Sequence, residues 1–356
     1  MAKIAILSYY SGMVDRGVET FVNELAKRIT KKHKVTLFQA GSKSNEKFKV
    51  IKIKSPVLIH KTKKGILGKL YLDANSQKIF IFTLKAIPKI AKGKFDIIFV
   101  MNGGWQTAVM RLISKFLKLK IIIPGAAGIG SDDSWNLLFR PDAFVALTKS
   151  QAKWAKKLTP EVKIVKIPNG VDLANFNPKV PANELPLQKP VVICASALDP
   201  YKRVDLTIKA VAKTKNLSLL VLGDGQTRGQ IDSLGKRVLG KKYLRIVAPH
   251  NDIPSYYRAG SVFTLASKTE AFGIAYIEAM ACNLPIVTTG DDSRAEIIGD
   301  AGILTNPENI DQYAKDLELA VSTDFKNKPY NQSLQFSWNK IAEKYSVLIG
   351  ELTSRK

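Results

Sequence analysis

With 356 residues, 46% of them apolar, and a mean hydropathy of -0.03, the chain is long enough for two domains with substantial cores. No uncharged apolar stretch reaches bilayer-spanning length, and the opening run is too short for a signal peptide. Two cysteines inside apolar runs, Cys194 and Cys282, argue against disulfides or zinc and for a reducing compartment. The charge is lopsided: residues 1–180 hold 33 Lys+Arg against 11 Asp+Glu, a net +22 of the total +25, which predicts an anionic partner for the first half.

Residues 3–7 read as a strand, followed by a loop from Ser8 to Gly17, a helix from about Val18 to Thr30 and a second strand at Val35–Phe38. This β-loop-α-β unit opens a parallel sheet. Gly12 and Gly17 in its loop either let backbone amides meet a phosphate or serve the turn alone. Between 78 and 92, Phe80, Leu84, Ile87 and Ala91 fall on one helical face and Lys78, Lys85, Lys89 and Lys92 on the other, with Ile81 and Phe82 among the lysines. That pattern fits either a packed helix with a solvated lysine face or a helix lying on a membrane surface, and Pro88 is expected to kink or end it. Phe95–Met101 is a strand, Trp105–Leu119 a helix and Ile121–Ile123 a strand. The last breaks into the glycine-rich loop Pro124-Gly-Ala-Ala-Gly-Ile-Gly-Ser-Asp-Asp, at the end of a strand where α/β proteins bind ligands. A strand at Ala143–Leu147 and a helix at Gln151–Lys157, capped by Ser150, precede a strand at Ile164–Ile167 and the turn Pro168-Asn-Gly-Val-Asp.

Four prolines between 178 and 190 mark a linker. A second α/β unit follows: a strand from Val191, the turn Ser196-Ala-Leu-Asp-Pro-Tyr-Lys-Arg, a helix to about Lys213, and a strand at Leu217–Leu222 ending in Gly223-Asp-Gly. Tyr243–Val247 is a strand, Pro249 to Pro254 a loop and Ser255–Ala259 a helix. The strand Val262–Leu265 then leads into Glu270-Ala-Phe-Gly-Ile and a helix from Ile274 to Cys282 that carries Glu278. Asn283-Leu-Pro ends that helix before the strand Ile286–Thr289. Gly273 frees the backbone for close approach to a ligand, and the free N–H groups and dipole of the helix start favour a phosphate. Carboxylates repel phosphate, so Glu270 and Glu278 are suited to accept hydrogen bonds from hydroxyl groups beside it. A diphosphate flanked by sugars fits.

Glu270-Ala-Phe-Gly-Ile, Glu278-Ala-Met-Ala-Cys and Pro285-Ile-Val together resemble the Glu-x7-Glu signature of retaining glycosyltransferases with the GT-B fold, in particular family 4. The Asn-Gly-Val-Asp turn, Gly223-Asp-Gly and Glu296-Ile-Ile-Gly-Asp-Ala-Gly resemble further motifs of that family, strongly over 190–305 and weakly over 40–95. The resemblance implies two Rossmann-like domains with parallel sheets facing across a cleft. Residues 1–180 would form the acceptor side and 181–335 the nucleotide-sugar domain, with a helix in 336–356 returning to the first. It implies a hexosyltransferase acting with retention on a GDP- or UDP-linked sugar such as mannose, without a cofactor. Backbone amides at Phe272, Gly273 and Ile274 would hold the phosphates, with Gly223 also at the donor. Glu278 would take the ribose hydroxyls and Glu270 those of the transferred sugar. Lys202, and Arg203 beside it, would neutralise the leaving diphosphate, and Ile253 would line the base pocket, with His250 either beside it there or a simple loop histidine. Gly12, Arg16 and Gly17 would form a phosphate or acceptor loop, where relatives usually carry Gly-Gly. Two departures stand out: relatives often place an arginine where this chain has Ala197, and a histidine in the loop that here reads Pro124-Gly-Ala-Ala. The other histidines, His33 and His60, read as structural and exposed. No Asp-x-Asp pair occurs in the sequence, so no metal is expected.

The basic first half predicts peripheral binding to the inner, cytoplasmic face of the cell membrane through several of Lys61, Lys63, Lys64, Lys69, Lys78, Lys85 and Lys89, with Phe82 and Ile81 inserting shallowly. The acceptor would then be a saccharide or lipid-linked saccharide of cell-envelope polysaccharide synthesis. Interleaved aromatic and basic motifs for single strands are not apparent, so no nucleic acid is expected. The alternatives are another GT-B enzyme, an epimerase or phosphorylase, or a non-catalytic basic binding protein.

Overall fold

The computed structural model describes residues 1–14, 17–45, 47–55, 68 and 70–354. It divides the chain into two compact units, Met1–Asn169 with Trp338–Lys356, and Gly170–Ser337. The boundary thus falls at Asn169, ahead of the expected 180, and the proline-rich stretch belongs to the second unit. No regular element forms over 178–190, since four prolines lack the N–H that a ladder needs.

The described strands of the first unit are β1 (Lys3–Leu7), β2 (Lys34–Gln39), β3 (Lys49–Lys52), β4 (Ile97–Val100), β5 (Lys120–Pro124), β6 (Ala143–Ala146) and β7 (Lys163–Lys166). All pair in parallel, in the order β3-β2-β1-β4-β5-β6-β7. Side chains alternate across the sheet, and both faces are covered, which is why these strands read as unbroken apolar runs. Ile4 and Ile6 pack with Phe21, Val22 and Leu25 of the Gly17–Ile29 helix and with Trp338, Ile341, Tyr345 and Ile349 of the terminal Trp338–Thr353 helix. Ala5 and Leu7 face Phe82, Ala86 and Ile90 of the Ala74–Gly93 helix, together with Met110 and Leu137.

The Ala74–Gly93 helix departs from the sequence reading. Its buried stripe is Phe82, Thr83, Ala86 and Ile90, whereas Ile81 and Leu84 are 38% and 44% exposed. Phe82 is locked edge-on against Tyr9, ring centroids 5.5 Å apart, so it cannot enter a bilayer. Lys85 and Lys89 turn to the backbone carbonyls of Lys54 (3.1 Å) and Lys52 (3.5 Å). The helix runs past Pro88 to Gly93 because the proline sits on the solvent side, where water can serve the carbonyl one turn earlier. The next correction is a cap. Thr148, not Ser150, accepts from the amide of Gln151 and starts the Lys149–Leu158 helix. His60, Lys61, Lys63, Lys64 and Lys69 lie outside the described residues.

The second unit repeats the architecture with β8 (Val191–Ala195), β9 (Ser218–Leu222), β10 (Tyr243–Ile246), β11 (Val262–Leu265), β12 (Ile286–Thr289) and β13 (Gly302–Thr305), all parallel, in the order β10-β9-β8-β11-β12-β13. In each unit every described strand therefore points its carboxyl end to the same side, where ligand-binding loops collect. Among the described residues no helix is long and apolar enough to cross a membrane.

Because Ile349 is fully buried against the first sheet, Ile349→Ala should cost about 2–5 kcal/mol of stability. Val347→Ala, at a position 54% exposed two residues earlier, should stay within about 0.5 kcal/mol. Denaturant unfolding of the two variants measures the contrast.

Candidate functional site

In the second unit the loops after β8, β11 and β12 are tied together by two adjacent cations. A short turn, Pro200–Lys202, follows β8, and the next residue, Arg203, is forced into the left-handed region with φ of 52°. That turn sends the two side chains to different partners. The Lys202 ammonium forms an ion pair with Glu270, both side chains being little exposed (13% and 11%). Arg203 donates from Nε to the carbonyl of Ala266 (2.6 Å) and from Nη1 to Glu308 (2.8 Å), and Nη2 reaches the Thr289 hydroxyl at 3.4 Å. The amide of Lys268 closes the arrangement by donating to the carbonyl of Tyr201 (2.8 Å).

Gly273 then opens the Ile274–Ala281 helix with φ of 83°, and no side chain caps that start. A Cβ at Gly273 would lie 2.3 Å from the ring of Tyr276, so only glycine leaves the approach to these amides open. Phe272 is buried against Phe336, which fixes the loop from the other side, while Ile274 is half-buried.

Glu278 lies on the same helix with its side chain 12% exposed. One oxygen stands 3.3 Å from Nε2 of His250, and the other accepts from the buried hydroxyl of Tyr257 at 3.3 Å. Burial first, and the Glu278 charge second, push the Tyr257 phenol well above its usual range and keep it a donor. His250 stacks edge-on with Phe176, and Ile253 is half-buried where the Ile253–Ala259 helix begins. Gly223 continues the rim after β9, since a Cβ there would sit 1.9 Å from the carbonyl oxygen of Ser196.

Three residues that sequence reasoning missed complete the site. Arg245 bridges Asp232 (2.7 Å) and the carbonyl of Gly223 (3.1 Å). Arg294 is buried, holds the carbonyl of Ser267 (2.9 Å) and pairs with Asp291, and its Nε has no partner among the described residues. Tyr257 is the third. The available signal was Asp291 as a cap, because its side chain accepts from the Arg294 amide (2.8 Å) directly after β12.

In the first unit Gly12 (φ 75°) packs so closely on Gln39 that a Cβ would come within 2.4 Å of its amide nitrogen, and Gly17 opens the first helix. Arg16 lies outside the described residues. The glycine-rich loop after β5 covers a buried polar network. Asp133 accepts from Gln151 (3.0 Å) and Asn136 (3.3 Å), Gln151 also donates to the carbonyl of Gly125 (2.9 Å), and Asn136 accepts from Thr107 (2.8 Å). Burial raises the Asp133 carboxyl to about 7, against the pull of these hydrogen bonds. Burial also pushes the thiols of Cys194 and Cys282 up to about 12. Among the described residues no group of His, Cys, Asp and Glu is arranged to hold a metal.

Two parallel-sheet α/β units with this topology define the GT-B fold. Residues 176–335, nearly all of the second unit, match the model of the family described as glycosyl transferases group 1. The chain is 32% identical over 114 residues, 31% of its own length and 30% of the relative's, to the O-antigen chain mannosyltransferase B of Escherichia coli. Its fold is similar to a sucrose-phosphate synthase from Thermosynechococcus elongatus (TM-score 0.79, 18% identity, all of both chains). It is also similar to Anabaena HepE solved with UDP and glucose (TM-score 0.75, 16% identity, 99% of this chain and 100% of that one). At these identities the structural likeness speaks for the fold alone. The matches to the first curated relatives span between 30% and 61% of their length.

The sign of the Asp133 effect is fixed by its raised pKa. A carboxyl that holds its proton longer when folded stabilises the protein below its unfolded pKa near 4, and that stabilisation is lost as pH rises through about 7. Asp133→Asn should therefore flatten the pH dependence of stability between pH 4 and 8, removing on the order of 2–4 kcal/mol of variation. Denaturant midpoints across that range give the answer.

Proposed function

We propose that the chain is a retaining glycosyltransferase that moves a hexose such as mannose from a GDP- or UDP-linked sugar to a saccharide or lipid-linked saccharide acceptor. One observation carries this: Glu270, Lys202, the uncapped helix start at Gly273 and Glu278 converge at the carboxyl ends of β8 and β11. The diphosphate would take the free amides around Phe272, Gly273 and Ile274, where the helix dipole favours an anion. Glu278 holds its hydrogen bonds at a long 3.3 Å, which leaves lone pairs for the ribose hydroxyls.

The ion pair gives Lys202 and Glu270 their roles. An arriving diphosphate competes with Glu270 for the Lys202 ammonium, and Glu270, released, accepts hydroxyls of the transferred sugar. As the anomeric C–O bond to the diphosphate breaks and the bond to the acceptor oxygen forms, negative charge grows on the diphosphate, whose departing oxygen takes the proton of the acceptor hydroxyl. Lys202, Arg203 and the helix start stabilise that charge there, without a cofactor.

The acceptor side of the reading rests on the first unit. Leu70, Leu72, Trp105, Leu112 and Phe116 are exposed. A groove of about 440 Å3 runs between Tyr71, Phe80, Trp105, Val109 and Leu112. Exposed carbon beside a strongly basic surface favours a lipid-linked acceptor and attachment to the inner face of the membrane, in cell-envelope glycan synthesis. Ile81 and Leu84, rather than Phe82, are the side chains available for shallow insertion. The name of the mannosyltransferase relative supports the choice of sugar.

A thermal-shift screen with GDP, UDP, ADP and their sugars tests the reading. A nucleotide at about 100 times its Kd adds roughly 2.7 kcal/mol of stability, and no shift with any of them would overturn it. Glu278→Ala should melt as wild type does without ligand and lose at least tenfold in nucleotide affinity. Unchanged affinity would remove the ribose role.

Transfer should persist in EDTA, because Lys202 and Arg203 supply the positive charge. Loss of activity with chelator, restored by Mg²⁺ or Mn²⁺, would show instead that a metal carries it.

A further inference from the structure

Lys3, Lys34 and Lys49 are the first residues of β1, β2 and β3, at the end of the sheet opposite its ligand-binding loops. With Lys47, Lys89 and Lys92 they line an open basin of about 860 Å3, floored by Val35, Phe48, Ile51 and Phe95. No Asp or Glu lines it, and among the described residues none of these six ammonium groups meets a carboxylate. Lys89 reaches only the carbonyl of Lys52. His33, also on the wall, holds its ring Nε2 out of solvent with no hydrogen-bond partner among the described residues.

Lysines on an edge strand discourage unwanted strand addition, which would account for Lys49 and Lys52 on β3. It does not account for Lys3, Lys34, Lys89 and Lys92, which lie on inner strands and a helix. Six like charges around one depression repel each other, and an anion placed among them relieves that repulsion.

The extent of the surface says what kind of anion. Lys89 and Lys92 stand in the last turns of the Ala74–Gly93 helix, whose first turns supply Ser76, Gln77 and Phe80 to the apolar groove. The helix is about 30 Å long. Along it Ile81 and Leu84 are exposed beside Lys85. A small soluble phosphate would cover neither that length nor the carbon floor of the basin. A bilayer presents phosphates in a plane, with glycerol and hydrocarbon directly beneath.

We propose that this basin seats phosphate headgroups of an anionic bilayer, with the solvent face of the Ala74–Gly93 helix lying along the membrane. The inference deepens the membrane-surface reading given above and rests on it. Each lysine near such a surface contributes about fivefold in binding at most, and less as salt is raised.

Co-sedimentation with vesicles of neutral phosphatidylcholine, with and without one third phosphatidylglycerol, tests it. Wild type should bind the anionic vesicles at least tenfold better, and the triple variant K34E/K49E/K92E should lose at least tenfold of that binding with its melting temperature kept. Acetylation of wild type, with and without vesicles, needs no variant. Lys34, Lys47, Lys49 and Lys92 should be protected relative to Lys209 and Lys213 of the second unit. Equal binding to both vesicle types would overturn the membrane reading and this inference together. Binding kept in the triple variant, or basin lysines unprotected, would overturn the basin alone. Protection by inorganic tripolyphosphate but not by anionic vesicles would assign the basin to a soluble polyanion and overturn the proposal.

Discussion

The Lys202–Glu270 ion pair is the contact on which the candidate donor site depends. Each charge is almost withdrawn from water, and a withdrawn charge without a partner is strongly destabilising, so the two must be brought together for the second unit to fold. Meeting that requirement fixes the loops after β8 and β11, and Arg203 extends the tie to β12 through Thr289. The helix start at Gly273 is thereby held open in a set position before any ligand arrives. Preorganised dipoles and charges of this kind act on a ligand without first having to reorganise.

Around that pair, buried polar groups carry the same logic outward. Arg294 sits beneath the loop on the carbonyl of Ser267, and Tyr257 supports Glu278 from below. In the first unit Asp133 ties Gln151 and Asn136 under the glycine-rich loop. Burial raises the Asp133 carboxyl even though these donors pull it down. The two units thus stabilise their strand-end loops differently, one by paired charges and one by a buried hydrogen-bond network. The lysine excess of the first unit stays outside both.

Much of the architecture was legible because it is local. Eleven of the thirteen described strands follow runs read as strands in the sequence, and Ile286–Thr289 coincides with its reading residue for residue, whereas Lys49–Lys52 and Gly302–Thr305 were not read as strands. Gly273, Glu270 and Glu278 lie within nine residues of each other, so a pattern along the chain captures their spacing on loop and helix. The Ala74–Gly93 helix was legible as a helix but not in its orientation. Phe80 and Phe82 are equally apolar, and the choice between them was made by Tyr9 on a strand-end loop far away in sequence.

By itself the sequence determined the alternation of strand and helix, the two-unit plan and the glycine at which the helix opens, all of which follow from backbone geometry and hydrophobic period over short spans. Tertiary structure alone decided the partners. Tyr257 meets Glu278 across 21 residues, Ser267 meets Arg294 across 27, Lys202 meets Glu270 across 68, and six lysines from three strands, the bend before β3 and a helix meet at one basin. Such contacts are set by the order in which parallel strands stack and by the faces their crossovers cover, which no periodicity along the chain encodes.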